Sequence, residues 1–172
     1  MNRSIAFVLF GFCLLFAACE QDIQEQSDPQ VGLENLVKEF KNIEDAEAEV
    51  GFYCPLPENL PKGYSIKGIS TISGKLVQVV YHTQGNLKIN YRVAKGTEDV
   101  SGIQGDFEEK LLNFEKNNVL ARLSGKRILY ATWQCEGYSF AASFDDPVTE
   151  AVFTRFVESI PTMNEELEAV SK

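Results

Sequence analysis

The chain opens on an unbroken apolar run, Ile5 to Phe16, with one glycine inside it and a single cation, Arg3, ahead of it. A membrane-crossing helix needs about 20 apolar residues, and this run is shorter. It narrows to Ala17-Ala18 before Cys19. Residues 1–18 therefore have the basic start, apolar middle and small-residue end of a secretory signal peptide. Residues 20–32, EQDIQEQSDPQVG, carry acids, no base and a proline, the pattern of a charge-extended linker behind Cys19.

Apolar positions then recur at helical spacing. Leu33, Leu36, Val37, Phe40 and Ile43 share one face, with charges on the other, and predict an amphipathic helix over 33–47 packed on its own sheet. Pro55, Pro57 and Pro61 forbid helix in the next stretch, and Gly63 permits a turn before Tyr64. From Tyr64 the period changes to about two, which predicts strands. Residues 64–71 form the first, and Gly74-Lys75 close a turn. Residues 76–82, LVQVVYH, are apolar on nearly both faces and suit a central strand. In 87–93, Leu87, Ile89, Tyr91 and Val93 face one way and Lys88, Asn90 and Arg92 the other.

Residues 95–110 read as a polar loop with Gly102 and Gly105. Strands resume at 111–116 and 119–123, joined at Asn117-Asn118, a pair that tolerates a tight turn. Another hairpin joins 127–134 to 138–144 around Cys135-Glu136-Gly137, with Tyr138, Phe140, Ala142 and Phe144 on one face. Asp145-Asp146-Pro147 then predicts the start of a helix. Val148, Val152, Phe153, Phe156, Val157 and Ile160 make its apolar stripe, and Pro161 ends it. Residues 162–172 form a polar tail.

The expected fold is a single α+β domain over 33–161: an antiparallel meander of about six strands with helices packed on one face. Composition adds a constraint on partners. The 172 residues carry a net charge of −9; cutting before Cys19 removes Arg3 and leaves 15 Lys and Arg against 25 Asp and Glu, a net −10. Such a surface repels nucleic-acid phosphates and anionic headgroups, which argues against nucleic-acid binding and against docking through a basic face.

The Ala17-Ala18-Cys19 junction resembles the lipobox of bacterial lipoprotein precursors, with Phe16 where leucine is usual. The resemblance implies a diacylglycerol on the Cys19 thiol, removal of residues 1–18 and a place on the outer face of a cell membrane. The alternative is an ordinary secretory signal with Cys19 incidental. Further on, Pro57-x-x-Leu60-Pro61-x-Gly63-Tyr64 begins a strand-turn-strand. Tyr130-Ala131-Thr132-Trp133 then leads through a turn to Gly137-Tyr138-Ser139-Phe140, and the last helix closes with Glu158-Ser159-Ile160. Together these resemble the DUF4367 family of bacterial exported proteins over about residues 50–160. That resemblance implies a non-catalytic sensing or binding module and carries no catalytic residues across. The Asn117-Asn118 turn lacks the glycine of a typical version.

Cys54 and Cys135 are the only thiols after Cys19, and outside the cell such a pair reads as a disulfide, the alternative being two separate buried thiols. The lone histidine, His82, has no partner spacing for a metal and no Gly-x-Ser-x-Gly elbow to serve. Gly68 to Leu76 misses a phosphate-binding loop: it has one residue too many between the glycines, and Leu76 stands where Ser or Thr would hold Mg²⁺. It reads as a hairpin turn. Glu98, Asp99, Asp106, Glu108 and Glu109 match no calcium-loop spacing and read as a solvated loop. No catalytic residue, metal site or cofactor is expected. Among the strand aromatics, most are core, and a few would line a groove if the sheet curves. The leading expectation is a lipid-anchored binding or sensing module whose partner is an envelope protein. The alternatives are a carrier of a lipid or other apolar ligand, and an envelope hydrolase using carboxylates.

Overall fold

In a computed structural model of the protein, residues 36–163 are described. The expected signal peptide, Cys19, the expected linker, residues 33–35 and the tail beyond Met163 lie outside them. The elements run β1 (Val37–Phe40), α1 (Ile43–Val50), β2 (Ser65–Ile72), β3 (Leu76–His82), β4 (Lys88–Lys95), β5 (Glu108–Asn113), β6 (Asn118–Ser124), β7 (Arg127–Cys135), β8 (Tyr138–Val148) and α2 (Glu150–Glu158).

The strands form one antiparallel sheet in the order β1-β2-β3-β4-β8-β7-β6-β5. The strand count is eight, not about six. Two meanders, β1 to β4 and β5 to β8, meet at the β4·β8 pair. The connection 96–107 must therefore cross from the middle of the sheet to its far edge, about 19 Å at ~4.8 Å per strand. This is why a long segment without regular structure sits inside a compact domain.

The helix face of the sheet is the core. Ile69, Val79, Tyr91, Ala142, Ala131 and Ala121 are cross-strand neighbours in one buried row. The three alanines leave depth that the rings of α2 fill. Phe156 meets Tyr91 at 6.2 Å and Phe144 at 5.7 Å between centroids, and Phe153 meets Phe144 at 6.1 Å. Both helix phenylalanines are fully buried, and each such side chain contributes roughly 1.5–3 kcal/mol.

Two expected helix starts are corrected. Val37–Phe40 is not helix but an edge strand on Ile69–Ile72, with Ser73 N donating to Leu36 O at 2.6 Å. The helix begins at Ile43, where the Asn42 side chain accepts from Asp45 N at 2.9 Å, and ends at Gly51 with φ 74°. Asp145-Asp146-Pro147 likewise remains in β8, because Val148 pairs with Ile128 of β7. Pairing of β8 with β4 stops at Phe144, and Asp145, Asp146 and Pro147 fall in an irregularity between the Ser143↔Tyr130 and Val148↔Ile128 pairs with β7, so Pro147, which lacks an N–H, costs the ladder no bond. Helix α2 starts after Thr149 instead. The Asn117-Asn118 turn is also displaced: Asn113 pairs with Asn118, and residues 114–117 form the loop, closed by Phe114 N donating to Asn117 O at 2.9 Å.

Other local readings agree with the structure. Glu136 (φ 51°) and Gly137 (φ 82°) make the two-residue turn between β7 and β8. The Pro-rich segment forms no helix, as expected, and is tied to the end of α2: Asn59 N donates to Ser159 Oγ at 2.9 Å, and Glu58 N to Ser159 O at 3.3 Å.

Candidate functional site

Trp133 on β7 and Phe140 on β8 are direct cross-strand partners, and their rings lie parallel, 5.4 Å apart and 4° from coplanar orientation. Both point to the helix face. Helix α2 covers the middle of that face, and over Trp133 and Phe140 it gives way to Ser159–Met163. The result is a half-open cleft of about 250 Å³. Trp133 and Phe140 line it with Phe114 from the β5–β6 loop and Val157, Ile160 and Met163 from the end of α2. Two contacts hold its rim. Met163 N donates to Glu136 Oε2 at 3.0 Å, and Ser159 Oγ donates to Phe156 O at 2.8 Å.

The lining is mainly apolar, with Glu115, Lys116, Asn117 and Glu158 around the opening. The Asn117 Oδ1 atom is buried without a hydrogen-bond partner. Cys135 lies at one end. Burial first and Glu136 second push its thiol up, and Lys116 pulls the other way. A thiol raised in this manner stays protonated near neutral pH and is a poor nucleophile. The cleft thus presents an apolar interior with ionisable side chains at its opening.

The remaining sequence candidates do not converge here. Cys54 and Cys135 are both free thiols. Cys54 is buried beside Tyr81 and Tyr91, its backbone N donating to Glu47 Oε1 at 2.8 Å, and burial followed by Glu47 drives its thiol well above the ordinary 9.0. His82 ends β3, paired with Lys88 and Ser65. Gly68 to Leu76 is the β2–β3 hairpin, with Ser73 (φ 55°) and Gly74 (φ 62°) in its turn. The loop acids separate: Asp99 accepts from Ser101 N at 2.7 Å, and Glu109 pairs with Arg122 Nε at 3.1 Å. Among the described residues no three of His, Cys, Asp and Glu come together as a metal site, and no helix is long and apolar enough to cross a membrane.

Of the strand aromatics, Tyr91 and Phe144 belong to the core under α2, and Tyr130 faces the other side of the sheet against Phe107 at 5.3 Å. Sequence reasoning reached Trp133 and Phe140 as strand aromatics. It missed Phe114, read as part of a strand over 111–116 but found in the β5–β6 loop, and Met163, which follows α2 in what read as a polar tail. No protein family, curated protein or solved structure matches the chain.

Proposed function

We propose that this protein is a lipid-anchored, extracytoplasmic binding module without catalytic activity, and that its partner is an envelope protein whose apolar side chain enters the Trp133–Phe140 cleft. The observation that carries the reading is the size of the cleft. At about 250 Å³ it falls below the ~300–1,000 Å³ of sites that enclose drug-sized ligands. It has room for one large side chain, not for a whole diacyl lipid, which favours partner recognition over lipid carriage. A buried aromatic pocket with a polar rim is also how protein interfaces seat their anchor residues.

The N-terminal pattern supports the location. Two acyl chains on Cys19 would hold the protein at a membrane, and residues 20–32 would let the domain reach roughly 40 Å from it at ~3.3 Å per residue. The DUF4367 resemblance points the same way and is part of the proposal.

The test is native mass spectrometry of the protein purified from its own membrane in mild detergent. The expected result is a co-purified polypeptide that is lost when the cleft is filled by Thr162→Trp. A retained molecule of lipid mass would overturn the reading in favour of a carrier. The intact mass would also report the acyl groups on Cys19.

A further inference from the structure

The opposite face of the sheet carries a second hollow of about 480 Å³, between residues 97–99 of the β4–β5 connection and the outer strands. Its floor is a row of cross-strand partners, Leu111, Leu120 and Thr132 on β5, β6 and β7. Leu111 is 58% exposed, on the outermost strand of the sheet. The opposing wall is strapped down. Gln134 Nε2 donates to Thr97 O at 2.7 Å, Ser139 Oγ to Gly96 O at 3.0 Å, and Arg92 Nη1 to Ser101 O at 2.7 Å. The groove is thus a preformed part of the fold, and a ligand has little loop ordering to bring about.

Its charges are unbalanced. Arg122, the cation inside the groove, is already committed: Nε faces Glu109 at 3.1 Å, Nη1 donates to Leu120 O and Thr132 Oγ1, and the guanidinium lies over the Tyr130 ring. On the other wall Glu98 and Asp99 are exposed and make no ion pair among the described residues. The Gln134 amide nitrogen is used on Thr97, which leaves its oxygen as an acceptor. An apolar floor under uncompensated acids complements a side chain with an apolar stem and a cationic, donor-rich head.

We propose that this groove docks an extended Lys- or Arg-bearing segment of a partner protein, with the stem on Leu111 and Leu120 and the cationic head at Glu98 and Asp99. The open edge of β5 offers unpaired backbone groups to the same segment, and strand addition is a common way to hold an extended chain. The groove opens on the other face of the sheet from the aromatic cleft, and Trp133 and Phe140 border both.

The test is fluorescence anisotropy of two labelled, blocked peptides with the full mature chain: Ac-Val-Arg-Val-Arg-Val-amide and its glutamine counterpart Ac-Val-Gln-Val-Gln-Val-amide. The arginine peptide is expected to bind at least about tenfold more tightly, as a charge-assisted contact warrants. Glu98→Gln and Leu111→Ser, both at exposed positions, are each expected to weaken it by roughly 3- to 10-fold, whereas Glu44→Gln on α1 leaves it unchanged. Three results would overturn the proposal: no binding of the arginine peptide, equal binding of the two peptides, or equal weakening by the Glu98 and Glu44 changes, which would mark diffuse attraction to an acidic surface.

Discussion

The buried hydroxyl of Tyr91 on β4 donates to the carbonyl oxygen of Pro55 at 2.8 Å. This bond ties the Pro-rich segment, which has no sheet partner of its own, to the centre of the core. One turn of the meander away, Tyr81 on β3 is equally buried, yet its hydroxyl has no hydrogen-bond partner.

The two tyrosines should therefore respond oppositely to loss of the hydroxyl. Tyr91→Phe leaves a buried carbonyl unsatisfied and should cost about 1–2 kcal/mol. Tyr81→Phe removes a desolvated group that gains nothing in return, and should leave stability unchanged or raise it by up to ~1 kcal/mol. Denaturant unfolding of the two variants beside the parent measures both. Equal destabilisation would mean that the Tyr81 hydroxyl has a partner in solution.

Stability should fall on the alkaline side. Burial, with neighbouring Cys54 adding to it, pushes both Tyr81 and Tyr91 above their ordinary 10.0, and burial followed by Glu47 pushes Cys54 up. All three stay protonated in the fold while the unfolded chain releases their protons from about pH 8.5 for cysteine and ~10 for tyrosine. Raised values mean that their contribution is intact below those pH values and is lost as pH rises through them. The denaturation midpoint should be level near neutrality and drop steadily above about pH 9, and Tyr81→Phe should shallow the drop. A midpoint that held constant to about pH 11 would refute this.

Thiol accessibility should separate the two cysteines. A maleimide added to the native protein should modify the half-buried Cys135 slowly, as its raised pKa requires, and reach Cys54 only on unfolding. If neither thiol reacts, and the intact mass is lower by the two hydrogens that a disulfide removes, then the pair is bonded as a disulfide.

Gly102 has φ 66°, and a Cβ built there would lie 2.5 Å from Arg92 Nη1, which is held between Val100 O and Ser101 O. Gly102→Ala should cost roughly 1–3 kcal/mol, combining backbone strain with displacement of the guanidinium. Proteolysis within 96–107 should accelerate in the variant, because the strap loses its central tie. An unchanged cleavage rate would show that Gln134 and Ser139 hold the segment without Arg92.

The difference between what was readable and what was not follows the range of the deciding contact. The alternation Ile89-Tyr91-Val93 correctly marks the buried face of β4, but Leu87, in phase with it, lies past the strand end and is exposed. The Glu136-Gly137 turn and the stripe of α2 were legible because a few adjacent residues specify each. The helical spacing of Leu36, Val37, Phe40 and Ile43 misled, because pairing with Ile69–Ile72 outweighs a local preference in Val37–Phe40. Asp145-Asp146-Pro147 misled for the same reason, overridden by β7.

By itself the sequence determined the α+β character, most strand positions and the closing helix, since periodicity and turn chemistry act within a window of about a dozen residues. Only the tertiary structure decided that β4 meets β8 and that β5 lies at the far edge. The cleft and the groove both follow from those two facts. Trp133 reaches Phe140 through the β7·β8 register, Met163 reaches them through the end of α2, and Glu98 comes to line the same groove as Leu111 because its segment must cross the sheet. Pairings between distant segments are chosen by which arrangement buries the most apolar surface while satisfying every backbone group, and no local pattern encodes that choice.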